Sequence, residues 1–290
     1  MQQDILKLLD AKKSGFSKGQ RRIAAYITES YDKAAFMTAS KLGMITEVSE
    51  STVVRFAMEL GYDGYPSMQK AMQEMVLNRL TPSQRIGVAN DRIGDQDLVS
   101  TVLQSDMDKL RQTNETVNRE EFKAAVDAIL KAKRIYILGV GSSSMLASFT
   151  AHYLRYMFDE VRCITSSDTV DMFENLLNIS AQDVVIAFSF PRYSATIVKA
   201  VRYCAEAGAT IVSVTNSAMS SLGKSSDHVL VAKSDMVSLV DSLVGPLSLV
   251  NALIVALASA RKKTLEKNFT ELEKVWREYQ VYEKNAYDEL

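Results

Sequence analysis

Residues 134–144 read RIYILGVGSSS: the apolar run Arg134–Leu138, a turn bracketed by two glycines, then three serines. A short β-branched run closed by glycines predicts a strand buried on both faces, and the Gly–Ser turn predicts a helix directly after it. Four more such runs follow, Val161–Thr165, Val184–Ser189, Thr210–Val214 and His228–Ala232, with helical periodicity near 144–158, 169–178 and 194–207. Strand, helix, strand in repetition implies right-handed crossovers and a doubly wound parallel sheet.

Two strand ends carry chemistry. Gly141, Ser142, Ser143 and Ser144 follow the first strand, where free N–H groups at a helix start favour an anion and serine hydroxyls add donors. The third strand ends in Ser189-Phe190-Pro191-Arg192-Tyr193-Ser194, a second strand-to-helix loop with one cation. Gly141, Ser142, Ser143, Ser144, Ser189, Arg192 and Ser194 are therefore candidate ligand-binding residues, suited to a phosphate carrying a polyol. Ser194 also reads simply as the N-cap of the next helix. Gly139 and Gly141 begin a G-x-G-x-x-G dinucleotide pattern, but its third glycine is Ser144, and no acid for a ribose precedes Asp168. No cofactor and no metal site is expected.

Upstream, residues 1–80 place Tyr, Phe and Met at helical spacings without an alternating run. Lys41–Gly61 reads KLGMITEVSESTVVRFAMELG. Ser49 fits an N-cap, with Glu50 where the helix dipole favours an acid. Val53, Phe56 and Leu60 form one inward stripe, and Ser51, Thr52 and Arg55 fall off it near the helix start. Thr38 fits the cap of a preceding helix through Ile45, Gly43 marks a close helix crossing, and Thr46–Glu47–Val48 is the turn. This helix-turn-helix pattern offers Ser49, Ser51, Thr52 and Arg55 to the major groove of double-stranded operator DNA. Lys18, Arg21 and Arg22 lie beside it and suit either the DNA backbone or a solvated helix face.

The totals bound the rest. At 290 residues the chain has room for two domains, and its net charge of −1 selects neither nucleic acid nor an acidic membrane. Residues 1–80, with 11 Lys/Arg against 9 Asp/Glu, are barely basic. Two cysteines, Cys163 and Cys204, are too few for a disulfide framework and read as structural thiols. The N-terminal stretch lacks the apolar run of a signal peptide, so a cytoplasmic location is expected. Ser242–Ala260 is uncharged, but Gly245-Pro246, Asn251 and three serines favour a helix packed on all sides, inside a domain or at a subunit interface, over a membrane span. Leu265, Phe269, Leu272, Trp276 and Tyr279 draw one apolar stripe that must dock on its own domain or on another subunit; a homo-oligomer, dimer or higher, is expected.

Residues 16–75, with S-E-S-T-V-V-R-F at 49–56 and E-L-G-Y-D-G-Y at 59–65, closely resemble the N-terminal domain of the RpiR family of bacterial transcriptional regulators. Residues 133–260 resemble a sugar isomerase (SIS) domain, the C-terminal half of such regulators. GVGSSS matches that family's first phosphate loop. SFPRYS stands where S-x-S-G-x-T is commoner, aligning Ser189 and Ser194 and putting Arg192 in the glycine position. In the helix-turn-helix turn, Glu47 likewise stands where the family usually has glycine. The resemblance implies an all-α helix-turn-helix N-terminal domain plus an α/β doubly wound parallel-sheet (SIS) domain. Its expected layout is a DNA-binding domain over 1–80, a linker over 81–105, the SIS domain over 106–264 and a C-terminal amphipathic helix over 265–290.

It also implies a regulator whose DNA affinity answers to a sugar phosphate, and not an enzyme. The alternative is an aldose–ketose isomerase on the same fold, which needs a base and a ring-opening acid. His152, His228, Asp171 and Glu174 are the available groups, and their spacing shows no recognisable pair.

Overall fold

The computed structural model describes residues 5–79, 97–234 and 241–282. The chain forms two compact units dividing between Arg92 and Ile93. Of the expected linker, residues 81–96 lie outside the described residues, and Leu98–Ser105 is helix instead, the first turns of Leu98–Thr116. Asp97 caps that helix by accepting from the Val99 amide. The exposed Leu98, Val99 and Leu103 draw no inward stripe, so periodicity gives no sign of it.

The first unit is helical: α1 (Ile5–Lys12), a 3-10 turn, α2 (Lys18–Glu29), α3 (Tyr31–Ala34), α4 (Ala39–Ile45), α5 (Glu50–Glu59) and α6 (Tyr65–Arg79). Ser17 and Gln20 close a capping box at the start of α2, each side chain bonding the other's amide. Ile23, Ile27, Leu42, Val53, Phe56, Met68 and Met72 are buried and form the core. From α6, the Tyr65 hydroxyl and Gln69 amide both donate to the Met37 carbonyl, and Gln73 donates to that of Ala35. These bonds satisfy carbonyls that the short α3 leaves open, and they fix the approach to α4.

The second unit runs α7 (Leu98–Thr116), α8 (Arg119–Lys131), β1 (Ile135–Leu138), α9 (Ser143–Leu154), β2 (Val161–Ile164), α10 (Thr169–Leu176), β3 (Val184–Phe188), α11 (Ala195–Glu206), β4 (Thr210–Thr215), β5 (His228–Val231), α12 (Val244–Ala260) and α13 (Lys262–Glu278). The five strands are parallel in the order β2-β1-β3-β4-β5. Alternate side chains serve opposite faces, as the strand period requires. Ile135, Ile137, Val184, Ile186 and Phe188 join the core with Ile129, Leu146 and Leu253 of α8, α9 and α12. Tyr136, Leu138, Val185 and Ala187 join that with Met172, Ile197 and Cys204 of α10 and α11. Burial pushes the Cys204 thiol up to about 12, as befits a structural thiol.

At the N-terminal edge of the sheet, Arg134 holds Asp183 by two bonds, Nε to Oδ1 at 2.8 Å and Nη2 to Oδ2 at 2.7 Å. Burial pushes the Asp183 carboxyl up, but bonds from Arg134 and from the Ser180 hydroxyl and amide outweigh it and hold the group below its ordinary 3.8.

Within the chain the apolar helix α12 is covered on one side: Leu249, Val250, Leu253 and Leu257 are buried, whereas Ser248, Asn251, Ala252 and Val255 are exposed, so its own domain covers only half of it. On α13 no residue is fully buried; Phe269 stacks on Tyr156 and Trp276 on Phe269, while Tyr279 stands in solvent. Residues 283–290 of the expected C-terminal helix lie outside the described residues. Among the described residues, no single helix is long and apolar enough to cross a membrane.

Candidate functional site

The sheet order decides where a ligand can sit. β1 lies between β2 and β3, and the chain leaves β1 toward one edge and β3 toward the other. Leu138 pairs with Ala187, so the loops after β1 and β3 leave neighbouring strands at one end of the sheet. This is the topological switch point, where helices diverge to opposite faces and open a crevice.

The first loop turns through Gly141, whose φ of +61° lies in the left-handed region open to glycine. Ser142 is exposed and Ser143 buried at the start of α9. Ser144 is turned inward, its hydroxyl donating to the Gly141 carbonyl at 2.7 Å, so its proton is already engaged. Asp168 and Ser194 accept from backbone amides at the starts of α10 and α11, whereas α9 begins without a side-chain cap. The positive end of the helix favours an anion there, although the Ser143 and Ser144 amides already donate to the Val140 and Gly141 carbonyls, at 3.2 and 3.1 Å.

In the second loop, Ser189 is buried and its Oγ accepts from the Ser194 amide at 3.2 Å. Ser194 caps α11 through the Ile197 amide, as the plainer reading of that residue has it. Both hydroxyls accept in these bonds and keep a proton to donate. Arg192 is exposed, with φ of +65°. A side chain there costs about 1–2 kcal/mol that glycine would not pay. The next residue, Tyr193, donates to Asn216 at the end of β4, a polar contact that spacing along the chain does not reveal. The only hint is Thr215-Asn216-Ser217, one more polar strand end.

Of the groups an isomerase would need, one lies at the opposite end of the sheet and the others are exposed on helices. His228 opens β5, so it lies at the other end of the sheet, where it pairs with Glu121 of α8. His152 is exposed on α9, its ring edge-on to Tyr153 and Tyr156. Asp171 and Glu174 are exposed on α10. An open groove of about 680 Å³ also lies at the N-terminal end of the strands, lined by Asp127, Lys131, Asp183 and His228 among others; none of the seven candidate residues reaches it. Among the described residues, no three His, Cys, Asp or Glu side chains gather as metal ligands would.

In the first unit, Thr38 caps α4 and Ser49 caps α5. A Cβ on Gly43 would lie 2.9 Å from the Val48 carbonyl oxygen, so only glycine lets α4 approach the start of α5 this closely. Val53, Phe56 and Leu60 are buried, while Ser49, Ser51 and Arg55 are exposed and Thr52 is half-buried. Ser49, Ser51 and Thr52 share a hydroxyl cluster, Ser49 Oγ lying 2.9 Å from Ser51 Oγ and 2.8 Å from Thr52 Oγ1. Of the basic residues beside the motif, Arg21 donates to the Phe16 carbonyl and Arg22 binds Glu47.

Comparison with known proteins meets this architecture at both ends. Residues 3–78 match the helix-turn-helix domain model of the rpiR family, and residues 128–256 match the SIS domain model. An uncharacterised HTH-type transcriptional regulator of Clostridium perfringens is 26% identical over 231 residues, 78% of this chain and 80% of that one. The sugar isomerase domain of the RpiR transcription factor of Sphaerobacter thermophilus is 29% identical, with a TM-score of 0.59 over 62% of this chain and 99% of that one. The Vibrio vulnificus NanR protein complexed with ManNAc-6P is 25% identical, with a TM-score of 0.59 over 95% of this chain and 98% of that one. With a helix-turn-helix unit in front and a SIS sheet behind, the chain belongs to the RpiR family of helix-turn-helix transcriptional regulators.

Proposed function

We propose that this regulator's affinity for operator DNA is set by a sugar phosphate bound at the β1/β3 switch point. The observation that carries the reading is the pairing of two hydroxyl-bearing loops on adjacent strands, one leading into the uncapped α9 and the other holding the exposed Arg192. The phosphate sits at the positive end of α9 and takes the Ser142 and Ser143 hydroxyls, and Arg192 closes on it from the side. Ser189, Ser194 and Ser144, after its hydroxyl turns, serve the sugar. In the first unit, Ser49, Ser51, Thr52 and Arg55 face the major groove of the operator.

The protein acts as a homo-oligomer in the cytoplasm and not as an enzyme. The open stripe of α13 and exposed side of α12 support subunit contact, and one recognition helix per half-site then suits an inverted repeat. Ligand binding couples to DNA binding by about 1–3 kcal/mol, typical of allosteric coupling.

The test is a thermal-shift panel of hexose, pentose and amino-sugar phosphates beside their unphosphorylated sugars. N-acetylmannosamine 6-phosphate heads it, since the similar NanR structure is a complex with ManNAc-6P. A bound ligand at 100 times its Kd stabilises the native state by about 2.7 kcal/mol. A shift only with phosphorylated sugars, lost in Arg192→Ala, supports the site; a shift unchanged in that variant overturns it.

A further inference from the structure

The turn between α4 and α5 holds an unusual residue and an unusual partner. Val48 N–H donates to the Gly43 carbonyl at 2.8 Å and Glu47 N–H to that of Met44 at 3.3 Å, the paired bonds of a Schellman helix end. Its left-handed residue is Glu47, with φ of +53°. Glycine takes that conformation freely, whereas a residue with a Cβ is disfavoured there.

Arg22 of α2 grips this residue twice. Its Nη1 donates to the Glu47 carboxylate and its Nη2 to the Glu47 main-chain carbonyl, both at 2.7 Å. One rigid guanidinium thus holds the side chain and the backbone of the same residue, which restricts the torsions between them. Arg22 precedes the buried Ile23 on α2, so the grip is anchored on the core. Both side chains are largely solvent-exposed, 43% and 81%, and an ion pair so placed contributes little to global stability. Its consequence is geometric. Glu47 stands two residues before Ser49, so its conformation sets the direction in which α5 leaves the turn.

We propose that Arg22 is a positioning residue for DNA recognition, holding Glu47 left-handed so that α5 presents Ser51, Thr52 and Arg55 correctly. The proposal rests on the reading of α5 as the DNA-contacting helix. A turn freed of its grip occupies the competent conformation only part of the time, and the apparent Kd rises by the inverse of that fraction.

The experiment uses the full-length protein and a duplex it has selected from a random-sequence pool, with Kd measured by fluorescence anisotropy. Arg22→Ala should raise Kd about tenfold, the equivalent of about 1.4 kcal/mol, with the melting temperature little changed. Glu47→Gly should bind at least as well as the wild type, and adding Arg22→Ala to it should then change nothing. Arg22→Ala with Glu47→Gln should stay weak, because it removes the acid but keeps the Cβ. A double Arg22→Ala, Glu47→Gly variant as weak as Arg22→Ala alone overturns the proposal, since Arg22 would then act on DNA directly. Rescue by Glu47→Gln as well would overturn it too, by making Glu47's charge the cause. Arg55→Ala tests the underlying reading separately: unchanged DNA binding there would show that α5 is not the contacting helix.

Discussion

Tyr193 donates its phenolic hydrogen bond to Asn216 Oδ1 at 2.5 Å, joining the loop after β3 to the end of β4 beside the left-handed Arg192. The contact bridges 23 residues and restrains the loop that aims the guanidinium. Tyr193→Phe removes one partly buried hydrogen bond, a loss of about 1 kcal/mol. We expect sugar-phosphate affinity to fall severalfold in calorimetric titration, while DNA binding without ligand stays unchanged. Equal affinity in both proteins would show that the tie does not aim Arg192.

Arg192→Gly separates stability from binding. Glycine relieves the left-handed strain, although it also adds freedom to the unfolded chain, so the net gain is about 1 kcal/mol or less. Denaturant unfolding should show the variant at least as stable as the wild type, with sugar-phosphate binding greatly weakened. That combination marks strain retained for function. Lower stability with intact binding would assign Arg192 a structural role.

The Arg134–Asp183 pair makes stability depend on acid. A carboxyl held below its ordinary 3.8 stabilises the fold fully above that value and loses the contribution as pH falls through its lowered one. The wild type should therefore lose melting temperature steeply below about pH 4. Asp183→Asn should start lower by about 3–5 kcal/mol, because it leaves Arg134 without its buried partner, and should lack that part of the acid slope. Parallel pH profiles for the two proteins would contradict this account.

Gly43→Ala tests the α4–α5 crossing. Alanine favours helix over glycine by about 1 kcal/mol, yet its Cβ would sit 2.9 Å from a backbone oxygen that can only shift with the turn. The clash should prevail, destabilising the first unit by about 1–3 kcal/mol and weakening DNA binding. A variant as stable as the wild type would mean that the crossing has slack.

Much of this was legible before any coordinate. The five strands are found within a residue or so at each end, because each is a short apolar run bounded by turn formers. The caps at Thr38 and Ser49 and the stripe of Val53, Phe56 and Leu60 follow from local chemistry alone. Helix α7 was not legible, since its exposed Leu98, Val99 and Leu103 face no core that would impose a period. For α12, low charge reports an apolar helix but not which side its own domain covers, since that depends on neighbours in space.

The sequence by itself determined the two-unit architecture, the strand order's parallel character, and the residue types at two strand ends and one recognition helix. These depend on periodicity and on neighbours within a few positions. Only the tertiary structure decided which of the serines have hydroxyl protons already engaged, as Ser144 does with Gly141. It also decided that Arg192 and Glu47 both take left-handed conformations, which a Cβ disfavours, and what accompanies each. For Glu47 the answer is Arg22, 25 residues earlier on another helix. A turn's torsions are local, but the group that holds a strained one arrives through folding, and no spacing along the chain records it.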